Sequence, residues 1–157
     1  MALKPDRVEF LTDLSFFMNV TGERGRVVIH DTGGSGSAMD DSSAVVKFPT
    51  TNADVSGANP AGLLLNDVVD IDLTRQHINF DKDEVQKGGK VLILRQGTVV
   101  ANNISGTPTV GAKAYYDALG HLTATRRVEG AANSTQVGRF LSIKDADGYA
   151  KVEINII

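Results

Sequence analysis

The feature that most constrains this chain is its closing segment, residues 149–156 (YAKVEINI). Ala150, Val152, Ile154 and Ile156 alternate there with Lys151, Glu153 and Asn155. Successive side chains of a strand point to opposite faces, so a period of two predicts one buried and one wetted face. No amphipathic helical period is sustained after residue 20. The rest of the chain supplies further strand patterns. Residues 26–30 (RVVIH) read as a strand, and so do 44–48 (AVVKF), stopped by Pro49. Val69, Ile71 and Leu73 alternate with Asp70, Asp72 and Thr74. Residues 91–94 (VLIL) are apolar on both faces and read as a central strand, separated from 98–101 by Gly97. Residues 112–117 and 121–125 flank Ala118-Leu119-Gly120, and 137–143 and 149–156 flank 145–148 (DADG). Both pairs read as hairpins, the first with Gly120 where φ is positive. The expected fold is all-β, a small β-barrel or β-sandwich body with an extended N-terminal arm.

The N-terminal part has a different texture. Residues 1–60 carry 5 Lys/Arg against 8 Asp/Glu, whereas 61–157 carry 11 of each. A Gly/Ser run follows Asp31, and residues 50–62 read as loop or linker. The expected division is therefore 1–60, an N-terminal arm and loop-rich segment with short strands, and 61–157, a β-rich body. The first twenty residues hold Val8, Phe10, Leu11, Leu14, Phe16, Phe17, Met18 and Val20. Val8, Leu11, Leu14 and Phe17/Met18 fit a short helical stripe, too short to be stable alone. Two readings stay open. The segment is an arm that orders by docking on a partner, or it is an ordinary first element packed on its own domain.

Composition narrows the function. At 157 residues the chain suits one domain, at most with an arm. It has no Cys, which excludes disulfides, thiolate metal sites and a Cys nucleophile. A net charge of −3 argues against non-specific nucleic-acid binding. Lys4, Asp6, Arg7 and Glu9 interrupt any apolar leader, and runs such as 61–65 are far too short to span a bilayer.

The chemical motifs are thin. Asp31-Thr32-Gly33 after an apolar strand is the turn on which aspartic proteases carry their carboxylate, so one copy could serve only in a homodimer. The flexible run behind it favours a solvated loop. The same glycines lack the Lys-Ser/Thr that a phosphate loop needs. His30, His77 and His121 lie 47 and 44 residues apart, without ligand spacing. Asn79, Asp81, Asp83 and Glu84 imitate the start of a calcium loop but lack its Gly and closing Glu. Arg126, Arg127, Arg139 and Lys144 lie among Glu129, Asp145 and Asp147, which suggests salt bridges. No catalytic, cofactor-binding or metal-binding residue is expected.

Taken in order along the chain, several stretches resemble the capsid decoration proteins, or cement proteins, of tailed bacteriophages. They are 5–7 (PDR), 14–19 (LSFFMN), 23–25 (ERG), 33–37 (GGSGS), 60–69 (PAGLLLNDVV) and, most specific, 72–90 (DLTRQHINFDKDEVQKGGK). Val110-Gly111 with Ala114-Tyr115, 137–141 (VGRFL) and 147–151 (DGYAK) complete the series. The resemblance implies a non-enzymatic virion protein, made in the host cytoplasm. It implies binding to the outside of the assembled head and clamping of neighbouring major capsid protein subunits. Its partners would be the major capsid protein and itself, as homodimer or homotrimer, with no nucleic acid, membrane or cofactor. The apolar arm supplies the candidate capsid contacts: Phe10, Leu14, Phe16, Phe17 and Met18. Deleting residues 1–20 is then expected to leave a folded body that no longer sediments with capsids. The alternatives are a head fibre base or tail component, a glycan-binding β module, and the protease built on Asp31.

Overall fold

The computed structural model describes residues 1–31, 44–51, 54–55, 59–68, 71–72, 74–75, 77–78, 80–129 and 132–156. Its named elements are all strands. The first half holds β1 (Val8–Met18), β2 (Gly22–Glu23), β3 (Val27–His30), β4 (Val45–Lys47), β5 (Pro60–Asp67), β6 (Ile71–Asp72), β7 (His77–Ile78) and β8 (Glu84–Val85). The second half holds β9 (Lys90–Ala101), β10 (Ile104–Ser105), β11 (Lys113–Tyr116), β12 (Leu122–Thr123), β13 (Val128–Glu129), β14 (Ala132–Asn133), β15 (Gly138–Phe140) and β16 (Ala150–Asn155).

Strand pairing closes on itself. β1 runs parallel to β4, β4 pairs with β3, β3 with β5, β5 with β9, and β9 returns antiparallel to β1. Each of these five strands sends a side chain into one buried cluster: Met18, Val46, Val28, Leu64 and Ile93, with Phe16 packed against it. Alternate residues of β3, β5 and β9 point the other way. Val27, Ile29, Leu63, Leu65 and Leu94 join a larger core with Tyr116, Leu122, Phe140, Val152 and Ile154. That second core lies under the rest of the large sheet, where β9 continues into β16, β15, β11, β12 and β10. β3 and β5 are thus buried on both faces, which explains their unbroken apolar runs. β9 serves both cores. Along one edge its residues 91–94 pair with β5 and its residues 96–101 pair with β16.

Both hairpins form as the turn chemistry predicts. β11 and β12 pair Tyr116 with Leu122 around Gly120 at φ +82°, and β15 and β16 pair Phe140 with Val152 before Gly148 at φ +85°. β16 alternates buried and exposed along its whole length.

Three local expectations change. The helical stripe of the first twenty residues is a strand instead. β1 lies along β9 from Val8↔Thr98 to Phe17↔Lys90, and a neighbour's hydrogen-bonding edge outweighs a helix nucleus too short to propagate. Gly97 does not end a strand, because its φ of +153° lets β9 run through it to Ala101. The linker read over 50–62 ends at Pro60, which opens β5 at a first position where a missing N–H is tolerated. Of the alternation read over 69–74, Ile71 and Asp72 form β6, and residues 69, 70 and 73 lie outside the described set.

The N-terminal residues join the body as well. Leu3 is 2% exposed, sits in the larger core and bridges to Ala101, while the Lys4 amide donates to the Val100 carbonyl at 2.9 Å.

Candidate functional site

The β1–β9 ladder shifts register three times, and each of the two shifts that place the extra residue on β1 carries an exposed apolar side chain. Glu9 pairs with Gly97 and Leu11 with Gln96, so Phe10 is an extra residue between them. Asp13 pairs with Ile93 and Phe16 with Val91, so the interval of Leu14 and Ser15 holds the second extra residue. A bulge bends the strand and re-aims its side chains. Phe10 is 81% exposed and Leu14 52%, and Val8 and Leu11 are exposed beside them. The second bulge is held from within. The Asp13 carboxylate accepts the Ser15 amide at 2.7 Å and the Ser15 hydroxyl. Partial burial works to raise the Asp13 pKa, but the Ser15 bonds and the nearby Arg95 charge prevail and hold it below the usual carboxylate range.

The far edge of β1 is covered by β4 only at Phe17 and Met18. Among the described residues no other strand pairs along the stretch before Phe17. A long flat edge of this kind would invite uncontrolled strand addition. The two bulges and the Asp13–Ser15 bonds break it up. What the strand offers outward is a row of side chains rather than a continuous backbone template.

The five candidate contact residues therefore separate. Phe10 and Leu14 stand in solvent. Phe16 and Phe17 are half-buried, Phe16 with its ring 5.6 Å from that of His30 and Phe17 with the Lys90 ammonium 5.9 Å from its centroid. Met18 is fully buried inside the five-strand ring. Sequence reasoning passed over Val8 and Leu11 as contacts. It also missed a second exposed apolar pair, Ile78 and Phe80, which follows the β6–β7 turn. That turn is built by Asp72, whose Oδ1 accepts the Thr74 and Arg75 amides and Nε2 of Gln86. The stretch 72–90 was the most specific in the sequence, yet nothing in its polar pattern marks which apolar side chains project.

The residues considered for chemistry lie apart. Asp31 follows β3, where its amide donates to the Val45 carbonyl at 3.0 Å and its carboxylate accepts from Nδ2 of Asn19. The glycine-rich run behind it lies outside the described residues. Asp83, in the calcium-like stretch, accepts from Nε of Arg24 at 2.9 Å. Among the described residues no group of three His, Asp or Glu could hold a metal ion. His121 belongs to a turn: its amide and that of Leu119 each donate to Oδ1 of Asp117 at 2.9 Å. Burial works to raise the Asp117 pKa, but His121 and these two amides overcome it and bring the group down to about 2. Asp31, Asp83 and Asp117 thus each have a local structural partner. No helix among the described residues is long and apolar enough to cross a membrane.

Comparison with known proteins agrees with this picture of a structural module. A family model described as "Structural cement protein (E217 gp24/Pam3 gp6)" matches residues 11–155. A comparison with curated proteins gave no match. The matched span takes in β1 from Leu11 onward, the other four strands of the ring and the second sheet, so it covers the fold rather than a fragment of it. The chain belongs to the structural cement protein family of bacteriophages.

Proposed function

We propose that this protein binds the outer face of an assembled phage capsid and clamps neighbouring major capsid protein subunits, without performing catalysis. The observation that carries this reading is the coincidence of bulge and exposure at Phe10 and Leu14. A strand otherwise committed to the protein's own sheet presents two large apolar side chains to water. Burying each against a partner contributes about 1.5–3 kcal/mol. Much of that is offset by lost rigid-body freedom, so one such contact is weak. A homodimer or homotrimer multiplies it through avidity, and binding the lattice but not free subunits stabilises the lattice by mass action. Phe16 and Phe17 support the row from below, and Met18 acts through the ring by holding β1 in place.

The test is co-sedimentation of the purified protein with heads assembled without it, followed by imaging of the decorated particles. Phe10→Ala and Leu14→Ala are expected to lose most binding. Undiminished binding by the double variant overturns the assignment of this row. Light scattering on the free protein gives the oligomeric state.

A further inference from the structure

Beside the exposed row lies a cleft of about 300 Å³ lined by Val8, Phe10, Gln96, Gly97, Thr98, Glu153, Ile154 and Asn155. It sits at the lower end of the size range of small ligand pockets. Three strands build it, because Thr98 of β9 pairs with Val8 of β1 on one side and Glu153 of β16 on the other. Val8 and Phe10 supply the apolar surface, while Ile154 borders the cleft with its side chain turned into the larger core. Gln96 and Asn155 face one another across the same register and share one hydrogen bond, Nε2 to Oδ1, at 3.0 Å. That bond leaves Gln96 Oε1 and Asn155 Nδ2 without a protein partner among the described residues. Those atoms are one acceptor and one donor, the complement of a peptide group's N–H and C=O.

The charge at the rim is one-sided. Glu153 is exposed and takes part in no ion pair among the described residues. Its cross-strand neighbour Arg139 donates Nη1 to the Gly111 carbonyl at 3.1 Å instead. The cleft thus combines an apolar pocket, a neutral amide pair and one unneutralised carboxylate.

We propose that this cleft receives a short segment of the major capsid protein in which an apolar side chain stands next to a Lys or Arg. The apolar side chain lies against Val8 and Phe10. Its peptide group bonds the Gln96–Asn155 pair, and the cation meets Glu153. This inference rests on the proposed capsid-binding role of β1 and names the chemistry of the partner there.

The experiment measures binding of wild type, Glu153→Gln, Glu153→Lys and Phe10→Ala to heads assembled without the protein, at several NaCl concentrations. Glu153→Lys is expected to bind about tenfold more weakly, and Glu153→Gln to bind more weakly with a flatter salt dependence than wild type. Two glutamate variants that match wild type at every salt concentration, while Phe10→Ala loses binding, overturn the cleft and leave the β1 reading standing. If all three variants bind like wild type, both fall. A glutamate substitution that dissociates an oligomer of the free protein in light scattering makes the occupant a second copy and also overturns the proposal.

Discussion

A methyl group added at Gly97 would stand 2.1 Å from the carbonyl oxygen of Val8. The missing side chain at this position is what lets β1 close the ring against β9. The φ of +153° adds a second requirement for glycine. Gly97→Ala is expected to cost about 3–5 kcal/mol in urea denaturation, through strained backbone and collision with the opposing strand. Gly111→Ala is the control. Gly111 also has a positive φ, +82°, but open space around it, so its cost is expected near 1–2 kcal/mol. Equal costs would mean that contact with β1 contributes nothing.

The row on β1 predicts a separation of stability from binding. Phe10→Ala and Leu14→Ala are expected to change stability by no more than about 0.5 kcal/mol, because both side chains already lie in water. Met18→Ala removes a fully buried side chain from the ring and is expected to cost about 2–5 kcal/mol. Denaturation curves on the three variants, read beside the sedimentation assay, check this. A large stability loss in Phe10→Ala would make it a core residue.

Removing residues 1–20 is a poor way to isolate an arm. The deletion takes Leu3 from the larger core and Met18 from the smaller one, and strips β9 of its partner along one edge. Either side chain alone accounts for about 2–5 kcal/mol, and a whole domain has only about 5–15 kcal/mol to lose. The expected product has no cooperative melt by circular dichroism and elutes as aggregate. A fragment of residues 21–157 that melts cooperatively would show that the ring is dispensable.

Acid should expose the turn at Asp117. Its pKa is about 2, below the ordinary value of 3.8, so ionised Asp117 favours the folded state. This contribution is complete above about pH 4 and disappears as the pH falls toward 2. Asp117→Asn is expected to be less stable than wild type at pH 7 by on the order of 2 kcal/mol, with the gap closing near pH 2. Urea midpoints of the two proteins across this range give the answer. A gap that stays constant with pH would remove the charge from the explanation.

Much of the body was legible because its signals are local. In β16 the alternation of Ala150, Val152, Ile154 and Ile156 records one wet face and one dry face. Gly120 and Gly148 mark turns that need a positive φ whatever lies around them. Residues 91–94 read as central because a strand covered on both faces has no use for polar side chains. The site was half legible. The apolar density of β1 is plain in the sequence, and so are Phe10 and Leu14 as members of it. Which residues of that row face water is not. A stripe fitting a helix and a strand with two bulges place the same letters in different directions, and only the register against β9 decides between them.

The chain's own pattern determined that it is all-β, where its hairpins turn, and that its first twenty residues carry an unusual apolar load. Tertiary structure alone decided that β1 closes a ring, that Met18 turns inward while Phe10 turns outward, and that Gly97 continues a strand. The reason is physical. Periodicity and turn chemistry act over a few neighbouring residues. Pairing, bulge position and close backbone approach depend on residues some ninety positions apart, such as Val8 and Thr98, which meet only once the chain has folded.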